Sequence, residues 1–379
     1  MKKILFVLPS LKTGGMENLA VTLANALVER DYDVTVMIFG EDCTKRDELH
    51  EGVRFVQKGP MKHIGENIPV IRRVLFDDDV WHFRASPRRF YRHYVGKEKY
   101  DVEIAFFRGN SVKIISGSTN KDAVHLTWVH NDFRIAGGYD QNFNNMEEVV
   151  AAYKTFDKVI CVSEEAKKGF VETIGDTGNL MTVYNLIPKK KVKELSLQKQ
   201  QTPFPKARLR LVIVARLLNE HKGHLRLITA VSRLRQEGSD ISLTIIGDGP
   251  DSEAIRDRIA SLNEEDSIVM TGSLSNPFPY IKNADMLVCS SYYEGYNLTV
   301  AEAVILGTPV LSTICAGPCE ILDNGKYGMI VENSEEGLYR GLKEVYDHPE
   351  LLREYREKEQ QRQEFFDEDR IINQLTSLF

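Results

Sequence analysis

The sequence predicts an α/β protein of two doubly wound, Rossmann-like halves, each a parallel sheet covered by helices. Three observations carry this. Residues 3–39 read strand, glycine turn, helix, strand; a polar, proline-punctuated stretch follows near the middle; and the same alternation then restarts. At 379 residues the chain exceeds what one core ordinarily organises and suits two domains of roughly 150–200 residues. The halves are placed at 1–187 and 207–360.

Residues 3–8 form the first predicted strand, and Gly14-Gly15 lies in the turn after it. The helix that follows sets Leu19, Leu23 and Leu27 four apart, with Ala20 and Ala24 beside them. The β-branched run 34–39 is the second strand, and later strands of this half are expected at 102–105, 125–129, 159–162 and 181–184. Pro188, the lysines after it and the Gln-rich stretch before Pro203 show no strong periodicity and read as a linker. Beyond it, short apolar strands are expected at 209–215, 242–247, 267–271, 286–290, 309–313 and 328–331. Helical patterns at 225–236, 251–262, 298–306 and 338–345 separate them. A last, strongly charged helix is expected over 349–379. Two such halves imply a cleft, with ligands at the carboxyl ends of the strands.

Composition excludes several classes. Hydrophobic residues at 42% and charged residues at 27% describe a soluble globular chain, and a net charge of -6 disfavours nucleic acid as the partner. The apolar run 4–8 is too short for a signal peptide, with Pro9 and Lys12 close behind, so a buried strand and a cytoplasmic location are expected. No stretch reaches the roughly 18 apolar residues of a membrane span. The five cysteines lack metal-ligand spacing and read as reduced structural thiols. The acidic run 77–79 reads as a solvated turn and not as a metal site. Nothing like Gly-x-Gly-x-x-Gly follows Leu8, which disfavours a nicotinamide enzyme.

The strongest constellation is the segment from Glu294 to Glu302, two carboxylates eight apart across a loop-to-helix transition. Gly295 permits a tight turn, and the amides of Asn297, Leu298 and Thr299 sit where a helix N-terminus offers free donors to a phosphate. Glu302, one turn in, can accept hydrogen bonds from the two hydroxyls of a ribose. An ordinary capped helix with two solvated glutamates is the plainer alternative. Arg216 at a strand end and Lys222-Gly223 add two cations that could hold a diphosphate in place of a metal ion. By itself a basic loop is usually a solvated surface.

Together these residues resemble the family 4 glycosyltransferases of GT-B fold, of the kind found in bacterial surface-polysaccharide synthesis. The resemblance covers most of 210–330: Ala215-Arg216-Leu217, Lys222-Gly223, Ile246-Gly247-Asp248-Gly249-Pro250, Gly272 with Asp285, the Glu294 to Glu302 segment, Gly307-Thr308-Pro309-Val310 and Gly317-Pro318-Cys319-Glu320-Ile321. It departs at Tyr296-Asn297, where many members carry Phe and Gly or Pro. The first half matches more thinly, at Gly14-Gly15, Trp128-Val129-His130-Asn131-Asp132, Val162-Ser163-Glu164 and Tyr184-Asn185.

What the resemblance implies is specific. His130 and Glu294 are the expected catalytic residues. Gly14, Gly15, Arg216, Lys222, Gly247, Leu274, Tyr296, Asn297, Leu298 and Glu302 are expected to bind the donor, with no metal. The donor is a nucleotide sugar, UDP-linked by family frequency, and the acceptor a saccharide, a lipid-linked saccharide or another hydroxyl, with configuration retained. The terminal helix, about 361–379, is expected to cross back onto the first domain. A nucleotide-sugar epimerase, a phosphorylase on the same scaffold and a non-catalytic nucleotide-sugar-binding module remain alternatives. A turnover assay separates them.

One stretch of the first half is basic: Arg84, Arg88, Arg89, Arg92, Lys97 and Lys99 against Glu98, interleaved with Phe83, Phe90, Tyr91 and Tyr94. It reads either as a docking face for an anionic membrane, aromatics at headgroup level, or as a solvated helix covering the sheet.

Overall fold

The computed structural model describes residues 1–12, 14–59, 86–134 and 142–379. The acidic run 77–79, Phe83 and Arg84 lie outside the described residues. The chain divides into two compact units, Met1–Leu186 with Asp369–Phe379, and Ile187–Glu368.

The strands of the first unit are β1 (Lys3–Leu8), β2 (Asp33–Ile38), β3 (Arg54–Gln57), β4 (Val102–Ala105), β5 (Val124–Val129), β6 (Lys158–Cys161) and β7 (Leu180–Thr182). Among the described residues they form one sheet in the order β3-β2-β1-β4-β5-β6-β7, all pairs parallel. Strands covered on both faces become continuous apolar runs, and Ile4, Leu5, Phe6, Val7 and Leu8 of β1 are all buried. The helix Gly15–Val28 lays Leu19, Leu23 and Leu27 into the core, as their spacing requires. β3 escaped the sequence pattern: it is short, and both its ends are exposed.

The basic segment after residue 86 is a helix, Pro87–Tyr94, and its aromatics correct the headgroup expectation. Phe90, Tyr91 and Tyr94 are buried. Tyr91 donates its hydroxyl to Glu103 Oε1 at 2.7 Å, inside β4, and His125 Nε2 approaches Glu103 Oε2 at 3.3 Å. A carboxylate in a strand interior is tolerated only with such partners. Arg88, Arg89, Arg92 and His93 remain on the exposed side.

The second unit carries β8 (Leu209–Val214), β9 (Ile241–Ile246), β10 (Ile268–Gly272), β11 (Met286–Cys289), β12 (Val310–Thr313) and β13 (Met329–Val331). They pair in parallel in the order β10-β9-β8-β11-β12-β13. Ile213, Ile245, Val288 and Leu311 from the sheet pack with Leu227, Val231 and Leu342 from the helices. At roughly 1.5–3 kcal/mol for each large aliphatic side chain buried, this layer outweighs the exposed ion pairs at 0–1 kcal/mol each.

Two expectations about connections change. The linker contains a helix, Lys189–Leu195, and Asn276 Nδ2 donates to the Leu195 carbonyl at 2.9 Å, fastening it to the second unit. The charged terminal helix is broken into Glu350–Arg362, a 3-10 turn Gln363–Phe366 and Glu368–Thr376. The last piece belongs with the first unit. Arg30 pairs with Asp369 at 2.6 Å, Phe379 meets Tyr32 edge to face, and Gln374 donates to the Thr182 carbonyl.

Candidate active site

In each sheet the first strand has neighbours from opposite directions of the chain, so the order reverses beside it: between β1 and β4, and between β8 and β11. Crevices at such reversals, beyond the strand carboxyl ends, are where open α/β sheets bind ligands.

In the second unit the loops past β8 and β11 meet there. Lys222 ends the short helix Asn219–Lys222, and Gly223 behind it takes a left-handed φ of 64° that lets a second helix, His224–Gln236, start at once. Lys222 Nζ lies 2.7 Å from Glu294 Oε1, and both side chains are largely buried. Burial depresses the ammonium, but the Glu294 carboxylate more than offsets this and leaves its pKa above the usual value. Ser291 Oγ donates to the same oxygen at 2.6 Å, and Asn297 Nδ2 at 3.1 Å.

Asn297 caps the helix Leu298–Leu306. Its φ of 76° is left-handed, which asparagine tolerates better than most residues, and its Oδ1 accepts from Val300 N at 3.1 Å. The cap satisfies the Val300 amide, one position beyond the expected row, and the Asn297 backbone amide has no partner among the described residues. Among the described residues, the amides of Leu298 and Thr299 have no partner. Thr299 Oγ1 donates to the Val214 carbonyl, tying this helix to the end of β8. Tyr296 is buried and packs its backbone on Gly317, where a Cβ would overlap the Tyr296 carbonyl.

Glu302 lies within that helix. Part of its surface is exposed, yet its surroundings push the carboxyl up to about 8, through burial alone. Such a group gains from hydroxyl donors brought by a ligand. Arg216, just past β8, is exposed and has no ion-pair partner among the described residues. Gly247, past β9, has φ 146° and lies against the Ala215 carbonyl. Leu274 is partly exposed on the loop after β10.

Sequence reasoning overlooked two supports of this loop. One is Ser291. The other is Arg226, whose Nε and Nη2 donate to the Ser290 carbonyl at 3.0 and 2.6 Å while its guanidinium covers Tyr292 at 3.8 Å. An arginine in the first turn of the helix after Lys222-Gly223 was the available signal.

His130, Gly14 and Gly15 belong to the first unit. Gly14 is extended and caps the helix Gly15–Val28. The unanticipated Glu17, buried in the first turn, has its carboxyl raised by burial against the opposing pull of its own backbone amide. His130 follows β5, and its Nε2 lies 2.7 Å from the Phe106 carbonyl, between the Phe106 and Phe107 rings. A carbonyl only accepts, so Nε2 carries the proton and Nδ1 is an acceptor. Burial pulls the pKa down to about 4, although the Phe106 carbonyl favours the charged form.

The buried His224, also drawn down to about 4 mainly by burial, behaves alike. Both pKa values are depressed on folding from about 6.5, so the unfolded chain binds more protons between pH 6.5 and 4, and stability falls with pH across that window. Each histidine should cost up to about 3 kcal/mol by pH 4. Melting temperatures from pH 7 to 4.5 should fall less steeply for His224→Phe than for the parent; identical slopes would assign the acid sensitivity elsewhere.

Among the described residues, no group of three or more His, Cys, Asp or Glu side chains is arranged to hold a metal ion. No described helix is long and apolar enough to cross a membrane.

Known proteins share this architecture. A model of "Glycosyltransferase Family 4" matches residues 13–191, and one of "Glycosyl transferases group 1" matches 196–362. An uncharacterized glycosyltransferase of Haemophilus influenzae is 23% identical over 99% of both chains. An N-acetylgalactosaminyltransferase of Campylobacter jejuni, named for a diphospho-undecaprenol-linked acceptor, is 28% identical over 41% of this chain and 42% of its own. The crystal structure of Anabaena HepE in complex with UDP and glucose superposes with a TM-score of 0.77 at 17% identity, covering 100% of this chain and 99% of that one. With a sheet reversal in each unit and two matched models that adjoin across nearly its whole length, the chain belongs to the family 4-like glycosyltransferases of GT-B type.

Proposed function

We propose that this glycosyltransferase moves a hexose or N-acetylhexosamine from a UDP-linked donor to a hydroxyl of a saccharide or lipid-linked acceptor, with retention and without a metal ion. The carrying observation is the buried Lys222–Glu294 pair beside the open amides of Leu298 and Thr299. Cations and a helix N-terminus at one reversal of the sheet suit a diphosphate. UDP is favoured by HepE, whose crystal structure contains it, and a lipid-linked acceptor by the Campylobacter relative's name.

In this reading Arg216, Lys222 and the two amides neutralise the departing diphosphate, where charge develops in the transition state. Gly247 allows the backbone to approach, and Glu302 accepts from the ribose hydroxyls. Glu294 meets the donor sugar, and His130, neutral with Nδ1 as acceptor, receives a hydroxyl of the transferred sugar. Gly14 and Gly15 keep the first turn open to the phosphates, while Tyr296, Asn297, Leu298 and Leu274 line the donor.

The test is a panel of nucleotide sugars with candidate acceptors, read as release of free nucleotide and repeated in excess EDTA. Turnover should survive the chelator. Loss with EDTA and recovery with Mg²⁺ or Mn²⁺ would remove the metal-free mechanism, and donor consumption without acceptor would favour the epimerase.

The exposed arginines of Pro87–Tyr94 support docking to an anionic membrane at the inner face by charge alone, at about 1 kcal/mol per basic residue within a Debye length. Replacing Arg88, Arg89 and Arg92 by Ser should reduce sedimentation with phosphatidylglycerol vesicles, as should added salt. Indifference of the parent to vesicles at low salt would leave these residues as a solvated face.

A further inference from the structure

Three donors converge on one oxygen of one carboxylate: Lys222 Nζ, Ser291 Oγ and Asn297 Nδ2 all reach Glu294 Oε1, at 2.7, 2.6 and 3.1 Å. Among the described residues no hydrogen bond reaches Oε2. A diphosphate carries more negative charge than a carboxylate and competes for the ammonium. If Lys222 alone held Glu294, donor binding would release the carboxylate as the sugar arrives.

We propose that Ser291 and Asn297 are positioning residues that hold Glu294 by Oε1, so that Oε2 stays aimed at the donor sugar while Lys222 passes to the diphosphate. The proposal rests on the reading of Glu294 as the sugar-facing carboxylate. Both holders are themselves fixed. Ser291 is buried, and its carbonyl accepts from Thr313 Oγ1 at 2.6 Å. Asn297 is oriented by its cap: Oδ1 must face the Val300 amide, which turns Nδ2 to Glu294 and to the Cys289 sulfur at 3.2 Å. An asparagine where relatives of this family often have glycine thus adds a donor without disturbing the left-handed backbone.

Two substitutions separate this role from simple capping. Asn297→Asp keeps the cap acceptor but turns an oxygen toward Oε1, repelling the carboxylate. Asn297→Gly keeps the left-handed backbone and removes both contacts. A capping role ranks Asp above Gly; positioning by donation ranks Gly above Asp.

The experiment measures kcat and donor KM for Ser291→Ala, Asn297→Gly, Asn297→Asp and Glu294→Gln, with UDP affinity by calorimetry to show an intact donor site. Ser291→Ala should lower kcat about tenfold with UDP affinity within about threefold of the parent, and Asn297→Gly about tenfold and Asn297→Asp about a hundredfold in kcat, the added carboxylate of Asn297→Asp also weakening UDP. If Glu294→Gln abolishes turnover while Asn297→Asp and Ser291→Ala remain near the parent rate, the positioning role is overturned and the reading of Glu294 stands. Full activity of Glu294→Gln overturns both.

Discussion

Lys222→Ala is expected to weaken UDP binding by a hundredfold or more while leaving uridine binding nearly unchanged. A charge-assisted hydrogen bond contributes roughly 1.5–3 kcal/mol, which alone is about ten- to hundredfold in affinity. The surroundings enlarge this. Lys222 and Glu294 keep only 17% and 8% of their side-chain surface exposed, so deleting the ammonium leaves a carboxylate with its charge uncompensated beside an incoming dianion. Removing one partner of a buried pair typically costs about 3–5 kcal/mol, so the melting temperature should fall as well. Arg216→Ala should show the smaller effect, about tenfold, because that side chain is exposed and has no ion-pair partner among the described residues. Calorimetry with UDP and uridine reads the difference. Equal UDP affinity in Lys222→Ala and the parent would place the diphosphate elsewhere.

Gly247→Ala is expected to damage the second unit severely. The residue sits past the end of β9 with φ 146°, a region that side chains rarely adopt, and its Cβ would fall inside the Ala215 carbonyl oxygen. That oxygen is held by the chain of β8, so it cannot swing aside as a flexible side chain would. The loops carrying Arg216 and Gly247 would have to part, at a cost of about 2–4 kcal/mol from strain and overlap together. UDP binding should drop beneath detection, or the unit should melt at markedly lower temperature. By contrast Gly272→Ala meets nothing within 4 Å and should be limited to the strain of its φ of 74°. Similar behaviour of the two variants would mean that the approach to Ala215 is not needed.

Much of the fold is legible because buried parallel strands are written as uninterrupted apolar runs; β1, with Ile4 to Leu8 all buried, is an example. β3 is not, because an edge strand with only Phe55 and Val56 partly covered leaves no such run. The break near residue 363 was hidden by composition, since charged residues continue on both sides of it. In the site, Lys222, Glu294 and Glu302 could be picked out because a helix start and its flanking charges are local in sequence. Ser291 and Glu17 could not, since their importance depends on which oxygen or backbone they face. The sequence pattern leaves the aromatics of the basic helix open between a headgroup layer and a cover for the sheet, although Phe90 and Tyr94, four apart, already declare a shared inward face.

The return of residues 369–379 to the first unit bears on how the protein is made. Ile371, Ile372 and Leu375 are buried there, and Asp369 and Phe379 reach Arg30 and Tyr32. Translation delivers these side chains only after the whole second unit has left the ribosome. The first unit therefore waits, without this helix and its three buried apolar side chains, through the synthesis of its neighbour. An isolated fragment 1–186 would lack it permanently and should be less stable than the intact unit.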